Sequence, residues 1–436
     1  MDQVTAILDR LLALHPREID LSLGRMERLL DALGRPQDRL PPLVHIAGTN
    51  GKGSTTAFMR AILEAAGLKV HVYTSPHLVS FNERIRLAGR IVTDARLIEA
   101  LDTCEQANAG AEITFFEVTT AAALLLFAEE PADVLLLEVG LGGRLDATNV
   151  VDAPLAATIT PLSMDHERYL GETLADIAAE KAGILKRGCP AVIAPQPDEA
   201  LEVISRIAAR LGAPLQVFGQ DFTAFEENGR LVYQDEEGLM DLPLPRLFGR
   251  HQIVNAAMAI ASLRAAGRLP APETIEAGLL AVDWPGRMQP LTEGPLLDLC
   301  PPGSELWLDG GHNPGAGITI AEVMAEQEER RPRPLYLISG MLKTKDPVGF
   351  FRPFAGLARE VACVPLTTTD AGRDPACLAG SAREADLAAD AHASLVDALA
   401  HVREQAAGDD VPPRILICGS LYLAGEVLAR NGMKPV

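Results

Sequence analysis

The alternation of short apolar segments with helical ones is the feature that most limits the folds open to this sequence. "PLVHIA" (42–47) and "KVHVYT" (69–74) are strand-like, and residues 54–67 between them have helical spacing and end on a glycine. The same alternation continues to Gly212 and begins again near residue 305. It predicts two α/β domains, each with a mostly parallel sheet flanked by helices.

The segment between these two series has a different character. Residues 213–247 are polar and rich in turn formers, which predicts a small antiparallel excursion. We place the domain boundary in "GRMQPLTEGPL" (286–296). The prediction is therefore an N-terminal P-loop ATPase domain over residues 1–289 and a smaller, Rossmann-like α/β domain over residues 290–436. Before them, Val4, Ile7, Leu8, Leu11 and Leu12 share one face of a predicted amphipathic helix that ends at Pro16.

The loop after the first strand, "HIAGTNGKGSTT" (45–56), is a candidate phosphate loop. It departs from the common pattern G-x-x-x-x-G-K-[ST], because Ile46 replaces the first Gly and Gly53 follows Lys52. It still supplies flexible backbone N–H groups, a cation, hydroxyls and a helix start, which are the features that hold phosphates. A glycine-rich turn without a ligand is the alternative, and a Lys between two glycines disfavours it. The predicted ATP-binding residues of the loop are Gly48, Thr49, Asn50, Gly51, Lys52, Gly53, Ser54 and Thr55.

Charge and composition exclude several classes of partner. The formal net charge is -20, with 59 acidic and 39 basic residues, so the surface does not attract nucleic acid or anionic lipid. No apolar run approaches the roughly 20 residues of a membrane helix, and the start of the chain lacks a signal-peptide layout. The six cysteines include no C-x-x-C pair. We therefore expect a cytoplasmic, monomeric protein with reduced thiols and small-molecule partners.

Candidate metal ligands are less distinct. Glu138 ends an apolar strand and precedes a glycine-rich loop, a position where ligands bind in parallel sheets. The glycines favour a metal-binding Glu138 over a solvated carboxylate. Taken alone, His166 fits an ordinary loop histidine and Lys181 an ordinary helix-surface lysine, so their roles stay open on this evidence.

Several further blocks resemble one known family. In order along the chain these are "YTSPHLVSFNERI" (73–85), "TFFEVTTAAA" (114–123), "LEVGLGGRLDATN" (137–149), "DHERYLGETLADIAAEKAGI" (165–184), "GRHQIVNAAMA" (249–259), "WPGRMQ" (284–289), "DGGHNP" (309–314) and "CGSLYLAG" (418–425). Together with G-K-G-[ST] in the loop, they resemble the folate branch of the Mur ligase family, the dihydrofolate and folylpolyglutamate synthases. The resemblance implies an ATP-dependent acid–amino-acid ligase.

The resemblance also implies roles for individual residues. Mg²⁺ would be held by Ser75, Glu138 and His166, and Lys181 would be carbamylated to hold a second ion. Asn255 and Arg287 would contact ATP from the other side of the cleft, and Asp309 and His312 would contact the nucleotide and its transferred phosphate. Gly311 replaces the Ala usual in the family. The catalytic set implied in this way is Lys52, Glu138, His166, Lys181, Asp309 and His312.

The acceptor implied by the resemblance is a folate precursor. Thr114, Phe116 and Asp146 match positions that hold a reduced pterin, although Phe116 fits an apolar core equally well. Arg25 lies in "IDLSLGRM" (19–26), which resembles the N-terminal segment of the family, with Ser22 in place of Gly. The implied reaction joins L-glutamate to dihydropteroate, and further glutamates to the γ-carboxylate of reduced folates, through an acyl phosphate.

Other readings of the sequence remain. A folylpolyglutamate synthase without the first activity is the nearest, and a Mur ligase acting on a UDP-linked peptide is next. The latter normally carries an additional N-terminal domain, for which we expect no room before a loop that starts at residue 48. A nucleotide switch would not need Glu138, His166 and Lys181 together. A dinucleotide-binding oxidoreductase is disfavoured because Leu145 occupies the last Gly position of G-x-G-x-x-G.

Overall fold

A computed structural model describes residues 7–8, 10 and 21–433. Ile7, Leu8 and Arg10 are helical, and the rest of the predicted N-terminal helix lies outside the described residues. None of the helices in the described ranges has the length and apolar composition that crossing a membrane requires.

The first sheet has eight strands in the order β4-β3-β2-β5-β1-β6-β7-β8. Strands β2, β5, β1, β6, β7 and β8 are parallel, and β3 and β4 add an antiparallel edge. The mostly parallel sheet predicted from sequence is therefore confirmed. The strands are β1 (Leu43–Ala47), β2 (Val70–Tyr73), β3 (Ile85–Leu87), β4 (Arg90–Ile91), β5 (Val134–Glu138), β6 (Ala156–Ile159), β7 (Ala191–Ile193) and β8 (Leu215–Val217).

Helices cover both faces of this sheet. Because successive side chains of a strand point to opposite faces, Val134 and Leu136 enter one core while Leu135 and Leu137 enter another. The helices of this part are α1 (Gly24–Ala32), α2 (Lys52–Ala65), α3 (Asp94–Asn108), α4 (Phe115–Glu129), α5 (Glu167–Leu170), α6 (Leu174–Lys181), α7 (Asp198–Leu211), α8 (His251–Ala265) and α9 (Pro272–Ala281). Short 3₁₀ turns span Pro36–Arg39, Phe81–Arg84 and Ala182–Ile184.

The antiparallel excursion is present but begins later than the sequence predicted. Strands β9 (Phe222–Glu227), β10 (Arg230–Asp235) and β11 (Gly238–Pro243) form a separate antiparallel sheet. Residues 215–217 lie within the predicted excursion (213–247) but form β8, which pairs in parallel with β7. A strand of three residues is too short for the apolar run that identifies a buried strand.

The second α/β series forms a six-stranded sheet in the order β12-β13-β17-β14-β15-β16, parallel except for β12. Its strands are β12 (Gln289–Pro290), β13 (Glu305–Leu308), β14 (Leu335–Ser339), β15 (Ala358–Cys363), β16 (Ala389–Ala391) and β17 (Arg414–Cys418). Its helices are α10 (Pro295–Leu299), α11 (Pro314–Arg330), α12 (Pro347–Phe351), α13 (Pro375–Glu384), α14 (Leu395–Gln405) and α15 (Leu421–Arg430), with 3₁₀ turns at Arg352–Phe354 and Ala406–Gly408.

The carboxyl ends of the two sheets face a common cavity. Gly140 and Leu141 reach it from the end of β5, and Gly419 and Ser420 reach it from the end of β17. Ligands of open parallel sheets bind outside the carboxyl ends of the strands. The fold therefore brings two such ligand-binding edges to one place.

Candidate active site

The phosphate loop follows the central strand β1 and is tightly constrained. Gly48 has φ +149°, and a Cβ at this position would lie 1.8 Å from Thr160 Oγ1. The N–H groups of Thr49 and Asn50 both donate to the Pro161 carbonyl at 3.1 Å. Gly51, with φ +86°, then begins α2, whose first N–H groups have no partner within the helix. The contacts to Pro161 thus hold the loop in place, and the N-terminus of α2 presents N–H groups at the sheet edge.

Two lysines converge on this loop. Lys52 Nζ donates to the Gly48 carbonyl at 3.0 Å and to the Thr49 carbonyl at 3.3 Å. Lys181, at the end of α6, donates to the same Gly48 carbonyl at 3.0 Å. Burial, reinforced by the charge of Lys52, lowers the pKa of Lys181 to about 7. A substantial fraction of Lys181 is therefore an uncharged amine near neutral pH.

Glu138 ends β5 and is buried, with 3% of its surface exposed. Its Oε2 atom has no hydrogen-bond partner among the residues that the structure describes. Burial raises the pKa of Glu138 to about 7, while Lys52 and Arg287 oppose the shift. A buried carboxylate oxygen without a donor is costly unless a cation occupies the space before it.

The unpartnered Oε2 of Glu138 would suit a divalent ion, and the three predicted magnesium ligands stay a prediction. Ser75 and His166 both line the cavity between the domains. Within the described part of the chain, no three His, Cys, Asp or Glu side chains are grouped closely enough to hold a metal by themselves. Hard oxygen ligands from Glu138 and Ser75, completed by phosphate oxygens and water, are what Mg²⁺ prefers.

The second domain contributes a carboxylate and a histidine at the end of β13. Asp309 is buried, and its two oxygens accept from the N–H groups of Met288 at 2.8 Å and Gly311 at 2.6 Å. Burial raises the pKa of Asp309, and the charge of Arg287 opposes this. His312 Nδ1 lies 2.9 Å from the Gly310 carbonyl, and burial lowers the pKa of His312 to about 4. His312 is thus a neutral imidazole whose ring is held by its own loop.

Asn255 lies beside the phosphate loop, and Arg287 lies beside Gly310 at the end of β13. The Asn255 side chain approaches the phosphate loop so closely that a Cβ on Gly51 would lie 2.5 Å from its Oδ1. Arg287 Nη1 donates to its neighbour Gly286 at 2.9 Å, and its guanidinium acts electrostatically on both Glu138 and Asp309. Their positions suit the ATP contacts that the sequence predicted.

The cavity itself has a volume of about 470 Å³. Thr114, Phe116 and Asp146 line it together with Ser75, His166 and His312, so six predicted site residues share one space. Thr114 caps α4, and the Phe116 ring lies against Gly140, where a Cβ would come within 2.2 Å of the ring. The Asp146 carboxylate accepts from Leu141 N at 2.8 Å and Thr148 N at 3.0 Å. Asp146 thus braces its own loop and presents only part of its hydrogen-bonding capacity.

Arg25 contacts α4 from outside the cavity. Its guanidinium forms two 3.0 Å hydrogen bonds to Glu117, whose carboxylate also accepts from Thr114 N at 2.7 Å. Arg25 does not line the cavity. Its role as a substrate contact stays a prediction, and its observed contact positions the cap of α4.

Sequence reasoning missed several residues of the cavity. Lys345, Arg84 and Tyr422 line it, and Asp165 contacts Lys345 at 2.6 Å from just outside. Burial acts to raise the pKa of the Asp165 carboxyl, but the charge of Lys345 and its hydrogen bond help to hold that pKa well below its usual range. The sequence feature that could have identified Asp165 is its position directly before His166. Lys345 lies in "MLKTKD" after β14, where nothing local marks it as functional.

Comparison with known proteins agrees with this geometry. The Mur ligase middle domain matches residues 46–263. The folylpolyglutamate synthase of Lacticaseibacillus casei is 34% identical over 421 residues, covering 92% of each chain. The dihydrofolate synthase/folylpolyglutamate synthase of Escherichia coli (strain K12) is also 34% identical over 421 residues, covering 95% of this chain and 92% of that protein.

Solved structures share the fold. The bifunctional folylpolyglutamate synthase/dihydrofolate synthase of Yersinia pestis complexed with AMPPNP and Mn ion has a TM-score of 0.85 and 34% identity, covering 98% of both chains. Two α/β sheets that meet at a phosphate loop define an ATP-dependent ligase of the Mur type. The chain belongs to the Mur ligase family, in the branch of dihydrofolate and folylpolyglutamate synthases.

Proposed function

We propose that this protein joins L-glutamate to dihydropteroate, giving dihydrofolate, and to the γ-carboxylate of reduced folates. One observation carries the proposal: a single cavity is lined both by Thr114, Phe116 and Asp146 and by His166 and His312. An acceptor bound along the first group would direct its carboxylate toward the second. An aromatic ring beside a hydrogen-bonding carboxylate suits a flat, polar-edged pterin ring.

The reaction requires an activated carboxylate. The acceptor oxygen attacks the γ-phosphorus of ATP and ADP leaves, which forms an acyl phosphate. The amino group of glutamate then attacks the acyl carbon, and phosphate departs as the amide forms and the amine loses a proton. Lys52 and the N–H groups of the loop neutralise and orient the phosphates, as phosphoryl transfer demands. Magnesium held by Ser75, Glu138 and His166 would supply further charge neutralisation.

Lys181 is suited to carbamylation. A lysine must be uncharged to react with CO₂, and burial beside Lys52 lowers its pKa to about 7. The product, an anionic carbamate, would exchange the contact with Gly48 for a second Mg²⁺. We propose this modification on the basis of burial, low pKa and family resemblance.

Enclosure by two domains would protect the acyl phosphate from water. We propose that the two predicted domains, residues 1–289 and 290–436, act as the two halves of the site. His312, Lys345 and Ser420 of the second half face Phe116 and Leu141 of the first across the cavity. A closed cleft excludes the water that would hydrolyse a reactive intermediate.

The deciding experiment is ADP release by purified protein with ATP, Mg²⁺ and L-glutamate, comparing dihydropteroate, tetrahydrofolate and no acceptor. We expect turnover with both acceptors. Turnover with tetrahydrofolate alone would leave a folylpolyglutamate synthase and remove the pterin assignment of Thr114, Phe116 and Asp146. If the protein binds ATP but releases no ADP with either acceptor, the proposal is overturned.

Two lysine variants test whether turnover depends on the phosphate loop. Lys52→Met removes the ammonium beside Gly48, and we expect at least about a hundredfold loss of turnover because transition-state charge is left unbalanced. Lys69→Met changes an exposed lysine between α2 and β2 and should leave turnover unchanged. Equal activity in both variants would contradict the role of Lys52.

We also infer that the enzyme acts as a cytoplasmic monomer. Cys104, Cys189, Cys300, Cys363, Cys377 and Cys418 are free thiols, as a reducing compartment would keep them. Light scattering coupled to size-exclusion chromatography should give a mass near 46.5 kDa, and a dimer would contradict the inference.

A further inference from the structure

Asp165 binds groups from both domains at once. It lies in the loop between β6 and α5, and Oδ1 accepts from Lys345 Nζ at 2.6 Å and from the N–H of His166 at 2.9 Å. Oδ2 accepts from Asn313 Nδ2 at 3.1 Å and lies 3.7 Å from His312 Nε2. The side chains of Asp165 and Lys345 are only 9% and 7% exposed. Hydrogen-bonded charge pairs withdrawn from water in this way hold their geometry strongly.

A second contact joins the same elements to the phosphate loop. Asn50 and Asn313 exchange side-chain hydrogen bonds, with Asn50 Nδ2 donating to Asn313 Oδ1 at 3.2 Å and Asn313 Nδ2 donating to Asn50 Oδ1 at 3.0 Å. Asn313 Oδ1 also accepts from Ala316 N at 2.8 Å and so caps α11. One amide therefore connects the phosphate loop, Asp165 and the N-terminus of α11.

An ion pair elsewhere on the domain interface provides a contrast. Arg250 Nε and Glu326 Oε1 lie 2.8 Å apart, but the two side chains are 70% and 24% exposed. Exposed pairs contribute little because water and salt screen them. The buried pair also adjoins the cavity, since Lys345, His166 and His312 all line it.

We propose that Asp165 is a positioning residue that fastens the second domain over the active site, through Lys345 and Asn313. With this contact made, His312 and Lys345 are held at the cavity wall and Asn50 is held in the phosphate loop. Domain closure and the alignment of the loop are then set by one carboxylate. The inference rests on the proposed ligase function, because it concerns the assembly of that site.

The kinetic test is a double-substitution cycle. Asp165→Asn keeps the size of the side chain and removes its charge, and Lys345→Met removes the other partner. We expect each to lower kcat by at least about tenfold, and the double variant to be no worse than the poorer single one, because the two act as a pair. Additive losses would overturn the proposal. Glu326→Gln, which breaks the exposed interdomain pair, should leave kcat within about twofold.

A conformational readout separates fastening from a general loss of stability. In hydrogen exchange, Asp165→Asn should speed exchange in residues 48–56 and 312–324 by at least about tenfold, and leave residues 222–243 unchanged. Unchanged exchange in both cleft segments, or a uniform increase across the chain, would overturn the proposal. Wild-type turnover is measured first, and an inactive wild type refutes the ligase function. If the wild type is active and Asp165→Asn has the same turnover, the role of Asp165 is refuted.

Discussion

Glu138 shows how a single residue can oppose folding while serving function. Its carboxyl is buried at the end of β5 and its Oε2 lacks a donor. A group like this is retained only where a ligand compensates for it. Lys181 is a comparable case with the opposite charge, since burial lowers its pKa.

The first prediction concerns the pH dependence of Glu138. Its pKa rises from 4.5 in the unfolded chain to about 7 in the folded one. The contribution of the protonated Glu138 carboxyl to the free energy of unfolding is therefore fully present below pH 4.5, and it is lost as the pH rises through about 7. In EDTA, Glu138→Gln should raise Tm near pH 8 more than near pH 5.5, and in a separate assay with Mg²⁺ it should abolish ligation. An equal Tm change at both pH values would contradict this.

The second prediction concerns Gly48, whose missing side chain leaves space for Thr160 Oγ1. Gly48→Ala would place a Cβ 1.8 Å from that oxygen at φ +149°, so the loop must shift. We expect nucleotide affinity to fall at least about tenfold, measured by calorimetry with ADP and Mg²⁺. Gly24→Ala is the control, because the added carbon would lie within 4 Å of no other part of the described chain outside its own helix. Equal affinity in the two variants would show that the loop tolerates a side chain.

At the scale of elements, two helical glycines in the second domain differ sharply. In α15, a Cβ on Gly425 would lie 1.9 Å from the carbonyl oxygen of Leu78, a residue of the first domain. In α13, a Cβ on Gly380 would lie within 4 Å of no described residue outside its own helix. Gly425 is therefore the point at which α15 approaches the loop after β2.

The third prediction compares these two glycines. Gly425→Ala should separate α15 from the Leu78 loop and lower kcat by at least about tenfold, because Ser420 and Tyr422 at the start of α15 line the cavity. Gly380→Ala should raise the free energy of unfolding by up to about 1 kcal/mol through helix propensity and leave kcat unchanged. Steady-state kinetics and urea unfolding check both, and an unaltered kcat in Gly425→Ala would refute the packing argument.

The elements that the sequence predicted well are those with long apolar runs. Strands β1, β5, β14 and β17 are buried along their whole length, and each was visible as such a run. Strands β3, β4 and β8 have two or three residues and depend on pairing with neighbours, which periodicity does not report. The cavity was predicted less completely: Arg84 and Tyr422 lie inside quoted motifs but were not singled out, and Lys345 acts through a partner 180 positions away.

At the scale of the whole molecule, the buried cores divide between the two sheets. The core clusters around the second sheet draw their buried members from residues 288–428, and those around the first sheet from residues 7–282. Contacts between the halves are made by fewer side chains, among them Phe248 on Trp307 at 4.9 Å between ring centres. The predicted division at 289/290 falls within β12, which pairs with β13.

The fourth prediction follows from this division. A fragment of residues 284–436 retains β12 and both of its core clusters, so we expect it to unfold cooperatively in urea. It should not release ADP, because the phosphate loop is absent from it. A gradual, non-cooperative transition would show that the second sheet needs the first to fold.

The cavity residues also carry a consequence for how such enzymes diverge. Gly140, Gly419 and Ser75 lie in loops beyond the strands, and none belongs to a core cluster. Loop substitutions alter few buried contacts, so they are tolerated better than changes within a sheet. A lineage can therefore reshape part of the cavity by substitutions in these loops, while inheriting the strands, their pairing and the phosphate loop intact.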